Sequence, residues 1–147
     1  MKKIVFREEA CMGCRLCEVY CIVQHSMSKD IIKSHRREET KPVSRITVEV
    51  KKPHIMTARC QQCKTPLCVA SCLSGAMYRD AESGLVTHDV DKCIGCWTCT
   101  MVCPFGAIVM DKKRKVVAKC DLCQGMQVPA CVENCPNEAL VYQEVSP

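Results

Sequence analysis

Sixteen of the 147 residues are cysteines, and they are the side chains in this sequence whose type and spacing carry chemistry. They fall into four groups of four with none left over. Cys11, Cys14, Cys17 and Cys21 are separated by two, two and three residues, and Cys93, Cys96, Cys99 and Cys103 repeat that spacing. Cys60, Cys63, Cys68 and Cys72 are separated by two, four and three residues, and Cys120, Cys123, Cys131 and Cys135 by two, seven and three. Thiols at this density make disulfides, bind zinc or hold iron–sulfur clusters.

Disulfides need an oxidising compartment. Met1-Lys2-Lys3 is followed by only three apolar residues before Arg7-Glu8-Glu9, which does not read as a signal peptide, and no twin arginine precedes Cys11. No stretch approaches the length of a membrane span. The sequence therefore predicts a cytoplasmic chain with reduced thiols and no direct membrane insertion.

Zinc is the alternative from another class, and it would make the chain a zinc-stabilised interaction module. A zinc site joins two separate Cys-x2-Cys pairs across an intervening segment, whereas three thiols at x2, x2 intervals suit three corners of one 4Fe-4S cubane. The fourth thiol, expected to start a helix, then reaches a neighbouring cluster. Pro104 and Pro136 directly follow fourth cysteines, which completes the cluster-type run. Sixteen ligands at four per cubane predict four 4Fe-4S clusters. Every cysteine is used as an iron ligand, so no nucleophile remains, and no Gly-rich phosphate loop or His-Glu-x-x-His is present. The reading is a non-catalytic carrier of single electrons.

Charge is consistent with that. The net charge of +5 falls to about −3 once four oxidised cubanes, each about −2 with its thiolates, are added. The basic composition offsets the clusters and does not point to nucleic acid. The one dense basic run, Lys112-Lys113-Arg114-Lys115, reads as a solvated turn. Met12, Met101, Met126 and Trp97 lie beside cluster cysteines and are expected in the core, with a shielding role for the clusters as the second reading. His25 is read as structural or as a hydrogen-bonding tuner of a cluster. Aromatic residues make up 4% of the chain, thin for a core of this size, so clusters must replace part of it.

The elements that must position these cysteines are short. Gly75-Ala76-Met77-Tyr78-Arg79, a turn-rich Asp80 to Gly84 and Leu85-Val86-Thr87-His88 predict a hairpin leading into Cys93. Gly106 to Met110 and Lys115 to Lys119 repeat it before Cys120, and Ala139 to Tyr142 reads as the strand of a third unit. In the cysteine-free stretch between Cys21 and Cys60, Ser44 to Val50 alternates polar and apolar residues as a half-buried strand, while the remainder reads as loop or short helix. The fold class is α+β, with tandem ferredoxin-like modules whose short hairpins and helices surround four clusters. Spacing leaves open whether neighbouring groups pair.

From Cys11 to Tyr142 the chain resembles the four-cluster electron-transfer subunits that accompany molybdenum or tungsten oxidoreductases, hydrogenases and carbon monoxide dehydrogenases. Within that family, Cys17-Glu18-x2-Cys21 with His25-Ser26, Gly75-Ala76-Met77-x-Arg79-Asp80 and Lys92-Cys93-Ile94-Gly95-Cys96-Trp97 look most like the carbon monoxide dehydrogenase iron–sulfur subunit. The resemblance implies a nested arrangement. One cluster takes Cys11, Cys14, Cys17 and Cys135, and the next takes Cys120, Cys123, Cys131 and Cys21. The inner pair uses Cys60, Cys63, Cys68 with Cys103, and Cys93, Cys96, Cys99 with Cys72. The chain is then one polyferredoxin unit over residues 1–147. Its outer module comprises 1–30 plus 112–147, its inner module 56–111, and 31–55 is an insertion. The implied partners are a catalytic redox subunit, carbon monoxide dehydrogenase by motif, and a flavin oxidoreductase or hydrogenase, in an anaerobe. Formate-linked subunits and tungsten aldehyde oxidoreductase subunits share much of the pattern, and a free diffusible polyferredoxin would carry the same ligands.

Overall fold

Among the described residues, strands come only in pairs. The computed structural model describes residues 2–145. In order these form β1 (Lys2–Phe6), a turn of 3-10 helix (Glu8–Ala10), α1 (Leu16–Gln24), α2 (Ile31–Arg36), β2 (Ile46–Lys51), β3 (His54–Arg59) and α3 (Leu67–Ala70). There follow β4 (Met77–Arg79), β5 (Val86–His88), α4 (Thr98–Val102), β6 (Ile108–Asp111), β7 (Val116–Lys119), α5 (Ala130–Glu133) and β8 (Leu140–Glu144). Three antiparallel hairpins, β2–β3, β4–β5 and β6–β7, are local, while β1 pairs with β8 and ties the two ends of the chain together, Ile4 opposite Tyr142. An isolated two-stranded ribbon is marginal in water, so each must lean on something else.

They lean on cysteines. One core contains Ile4, Ile46, Leu122 and Leu140 together with Cys21 and Cys131, and Cys17, Cys120 and Cys135 pack against it. The other contains Met77, Ile108 and Val117 with Cys99, flanked by Cys68, Cys72, Cys93 and Cys103. Sulfur occupies the places that aromatic rings fill in larger cores.

The hairpins after the second and third cysteine groups and the strand near Ala139 lie where the sequence put them. The cysteine-free stretch contains the strand β2, with Ile46 and Val48 buried and Thr47 and Glu49 exposed. It also contains α2, whose N-terminus is closed by Asp30, which accepts from Ile32 N at 3.0 Å and Lys33 N at 2.8 Å. The strand β3 runs across the boundary expected at residues 55 and 56.

Two expectations are corrected. The fourth cysteine does not start a helix. The third does: Cys17, Cys68, Cys99 and Cys131 are each the second residue of α1, α3, α4 and α5. The x3 spacing then puts the fourth cysteine one turn later on the same face, still within α1 for Cys21 and at or just past the helix end for Cys72, Cys103 and Cys135. Met12 and Met101 are also not core, being 61% and 83% exposed. Trp97 does pack against the second core. Lys112 to Lys115 form the exposed β6–β7 turn. Among the described residues no helix is long and apolar enough to cross a membrane.

Candidate metal centres

The first Cys-x2-Cys loop of each group is made by the same backbone device. The residue before the second cysteine of every group has a positive φ: Gly13 at 72°, Gln62 at 50°, Gly95 at 68° and Leu122 at 58°. A left-handed residue at that point lets successive N–H groups turn toward one centre, the geometry of an anion-binding nest. At Gly95 there is no alternative residue, because a Cβ would fall 2.4 Å from the Lys115 carbonyl oxygen.

The structure sorts the thiols into sets drawn from different groups. Cys11, Cys14, Cys17 and Cys135 line one small apolar pocket. Cys21, Cys120, Cys123 and Cys131 line a second, with His25, Arg45, Arg59 and Asp121 in its wall. Packing of α1 against α5 brings these two sets together from opposite ends of the chain. In the middle of the chain, Cys68 lies within electrostatic reach of Cys60 and Cys103, and Cys99 within reach of Cys72, Cys93 and Cys96. The loop carrying Cys63 is pinned by Arg79, which donates to the Lys64 carbonyl at 3.0 Å. Each fourth cysteine thus sits with thiols of another group.

Burial opposes thiolate formation at several of these cysteines. It pushes the Cys17 and Cys99 thiols up to about 11 and Cys120 to about 12, with neighbouring cysteines adding to the rise at Cys17 and Cys99. Cys131 is raised further, first by burial and then by Cys120, Cys21 and Cys123. Bare thiols at Cys17, Cys99, Cys120 and Cys131 stay protonated near neutrality, and a cationic centre is needed to take them as thiolates. The donor set is soft and all-sulfur, which suits an iron–sulfur cubane. Three fourth cysteines also accept a backbone N–H: Cys21 from Arg45 at 3.2 Å, Cys72 from Met77 at 3.4 Å and Cys135 from Ala139 at 3.2 Å. N–H···S bonds to ligating sulfurs are one of the protein's controls on cluster potential. The residues fit 4Fe-4S clusters.

His25 belongs to a network. Its Nδ1 donates to the Cys21 carbonyl at 2.7 Å and its Nε2 to Asp121 at 3.2 Å, while Arg45 donates to the other Asp121 oxygen at 2.5 Å. Burial disfavours the imidazolium, but Asp121 and Cys21 override it and raise His25 to about 9. Asp121 is held well below the usual carboxylate range: burial opposes this, and His25 and Arg45 outweigh it. Sequence reasoning found His25 and missed Arg45 and Asp121. It also missed Arg59 and Lys119, both buried. The available signal was position, since Asp121 follows Cys120, and Arg59 and Lys119 directly precede Cys60 and Cys120.

Residues 51–145 match the family described as a 4Fe-4S dicluster domain. The chain is 33% identical over 150 residues to the thiosulfate reductase electron transfer subunit PhsB of Salmonella typhi, covering 92% of this chain and 71% of that protein. It is 35% identical over 153 residues to an iron-sulfur protein of Rhodospirillum rubrum, covering 88% of this chain and 75% of that protein. Other curated relatives are much longer, and the chain spans only 21% and 32% of two of them. The active site complex BamBC of benzoyl coenzyme A reductase shares the fold, with a TM-score of 0.53 at 23% identity over 97% of this chain and 76% of that one.

Proposed function

The chain belongs to the 4Fe-4S dicluster domain family, and we propose that within an oxidoreductase complex it relays single electrons through four 4Fe-4S clusters. It is an electron-transfer iron–sulfur subunit and not itself catalytic. The outer module, 1–30 with 112–147, holds one cluster on Cys11, Cys14, Cys17 and Cys135 and another on Cys21, Cys120, Cys123 and Cys131. The inner module, 56–111, holds one on Cys60, Cys63, Cys68 and Cys103 and one on Cys72, Cys93, Cys96 and Cys99.

What supports this reading is the placement of each fourth cysteine among thiols of a different group, as two ferredoxin-type pairs require. The matched stretch 51–145 contains twelve of the sixteen cysteines, more than the eight ligands that two cubanes use. Bound clusters would supply reversible one-electron chemistry. The chain's own residues hold the thiolates, donate N–H bonds to them and exclude water through Ile4, Ile46, Leu140, Met77 and Ile108.

By motif the catalytic partner is a carbon monoxide dehydrogenase, with a flavin oxidoreductase or hydrogenase at the far end, in the cytoplasm of an anaerobe. Similarity to a thiosulfate reductase subunit supports a second reading, in which a reductase takes that place. The test is anaerobic purification followed by metal and sulfide analysis. About sixteen irons and as many labile sulfides per chain are expected, with little zinc. Mainly zinc with little sulfide would overturn the reading. Reduction of the loaded protein by carbon monoxide and the dehydrogenase, compared with an aldehyde or formate enzyme, separates the partners.

A further inference from the structure

Two cations are buried where the halves of the molecule meet. Arg59 is 4% and Lys119 3% exposed, and among the described residues neither pairs with a carboxylate. They occupy matching places: Arg59 ends β3 directly before Cys60, and Lys119 ends β7 directly before Cys120. Each reaches into the other half. Arg59 donates to the carbonyl of Ile4 in β1, and Lys119 donates to the carbonyl of Val86 in β5. Lys119 also donates to the Cys120 carbonyl at 2.9 Å, and Gln62 spans the same seam, accepting from Val86 N at 2.7 Å and donating to the Cys120 carbonyl at 3.4 Å.

Carbonyl oxygens satisfy donors but do not neutralise charge, and a charge buried without a counter-ion is strongly unfavourable. The groups within electrostatic reach of Arg59 are the thiols of Cys60, Cys120 and Cys131, and Cys68 is within reach of Lys119. The buried Nε of Arg59 has no hydrogen-bond partner. Both cations therefore lack an anion at the place where two thiol sets, that of Cys120 and that of Cys60, face each other.

We propose that Arg59 and Lys119 form a cationic seam whose counter-ions are the two clusters on either side of it, and that this seam holds those two clusters at higher potential than the other two. The inference rests on the four-cluster reading above. An added electron takes the charge at a site from about −2 to about −3 with no bond made or broken, and a fixed cation beside it stabilises the reduced form. Among the described residues no other lysine or arginine is buried, so the sites holding Cys11 and Cys93 have no such residue. The seam would thereby favour residence of the electron midway between the ends.

The experiment is an anaerobic, dithionite-driven redox titration followed by electron paramagnetic resonance on the full chain, in wild type, Arg59→Gln and Lys119→Gln. Glutamine keeps a donor for the carbonyls and removes the charge. Two of the four midpoint potentials are expected to fall, so that at the wild-type midpoint the reduced-to-oxidised ratio drops about tenfold, which is about 59 mV for one electron. The other two are expected to stay. Full iron loading with no shift, or an equal shift at all four sites, overturns the proposal. If the glutamine variants lose iron, loss of about half of it, restored in Arg59→Lys and Lys119→Arg, supports the counter-ion role. Loss from every site, or loss the charge-conserving variants do not restore, overturns it. A wild-type protein carrying zinc instead of iron and sulfide would refute the four-cluster reading itself, and that result is obtained before any variant is made.

Discussion

His25 and Asp121 lie 96 residues apart in sequence and 3.2 Å apart in space, so that a histidine just past α1 and an aspartate inside the fourth cysteine loop lock the two ends of the chain around one thiol set. Arg45 shares the carboxylate from the cysteine-free stretch. Asp121 is thus the single anion between two cations, and it also accepts from Cys123 N at 3.0 Å.

Asp121→Asn should therefore cost more than His25→Gln, because it leaves His25 and Arg45 facing each other. About 2 kcal/mol is expected, the scale of a part-buried charged hydrogen bond left unmade. That corresponds to roughly thirtyfold faster bleaching of the cluster absorbance under an anaerobic chelator. His25→Gln should cost about half as much. Equal rates in wild type and Asp121→Asn would mean that the network does not guard the cluster.

Gly95 and Gly75 make a matched pair for a second test. Both have a φ of 68°, but a Cβ on Gly95 meets the Lys115 carbonyl oxygen at 2.4 Å, whereas nothing lies within 4 Å of one on Gly75. Gly75→Ala should cost only the left-handed strain, about 1 kcal/mol, and retain all its iron. Gly95→Ala must also push the β6–β7 turn away from the loop of Cys93 and Cys96, and should lose about four of sixteen irons on reconstitution. Iron analysis of the two variants side by side decides it.

Much of this was legible in the sequence because the cluster device is local. Cysteine spacing, the hairpin turns after Cys72 and Cys103, and the alternation of Ile46 to Val50 are all set within a dozen residues. What was not legible is non-local. Lys2 to Phe6 carries two lysines and is too short to announce a strand, and only its pairing with Leu140 to Glu144 makes it one. His54 to Arg59 lacks the density of β-branched residues that marks strands, and its partner β2 stabilises it. Arg59 and Lys119 are not singled out by the sequence, since composition cannot distinguish a cation in water from one whose counter-ion is a bound group. Met12 and Met101 misled in the opposite sense, because nearness to a cysteine in sequence says nothing about which way a side chain faces.

His88 supplies a pH test. Burial first, and then the charges of Arg45 and Lys119, hold its imidazole below the usual range, and the neighbouring Asp89 only partly offsets this. Its Nε2 is buried without a partner. A histidine whose folded pKa is depressed binds a proton more readily when unfolded, so stability from this site is present above about pH 6.5 and is lost as pH falls toward the depressed value. The thermal midpoint of the loaded protein should drop more between pH 7.5 and 5.5 in wild type than in His88→Gln. Parallel drops would show that other groups, such as the cluster thiolates, carry all of the acid sensitivity.

Removal of the metal should unfold most of the chain. Both cores are built partly of thiols, with Cys21, Cys99 and Cys131 among their buried members, and the aromatic content is too low to replace what the clusters contribute. Without clusters the seam cations Arg59 and Lys119 are left buried with no counter-ion, which favours opening of the interface between the halves. Far-ultraviolet circular dichroism and protease resistance should therefore collapse once iron has been chelated, and return on anaerobic addition of iron and sulfide. The charge argument adds a sharper expectation. An Arg59→Met, Lys119→Met double variant has no buried seam cation left without a counter-ion, so its metal-free form should keep more protease resistance than metal-free wild type, although its loaded form is the weaker of the two. Metal-free wild type with undiminished dichroism and protease resistance would mean that the apolar residues alone suffice for the fold, and that the clusters are passengers in it.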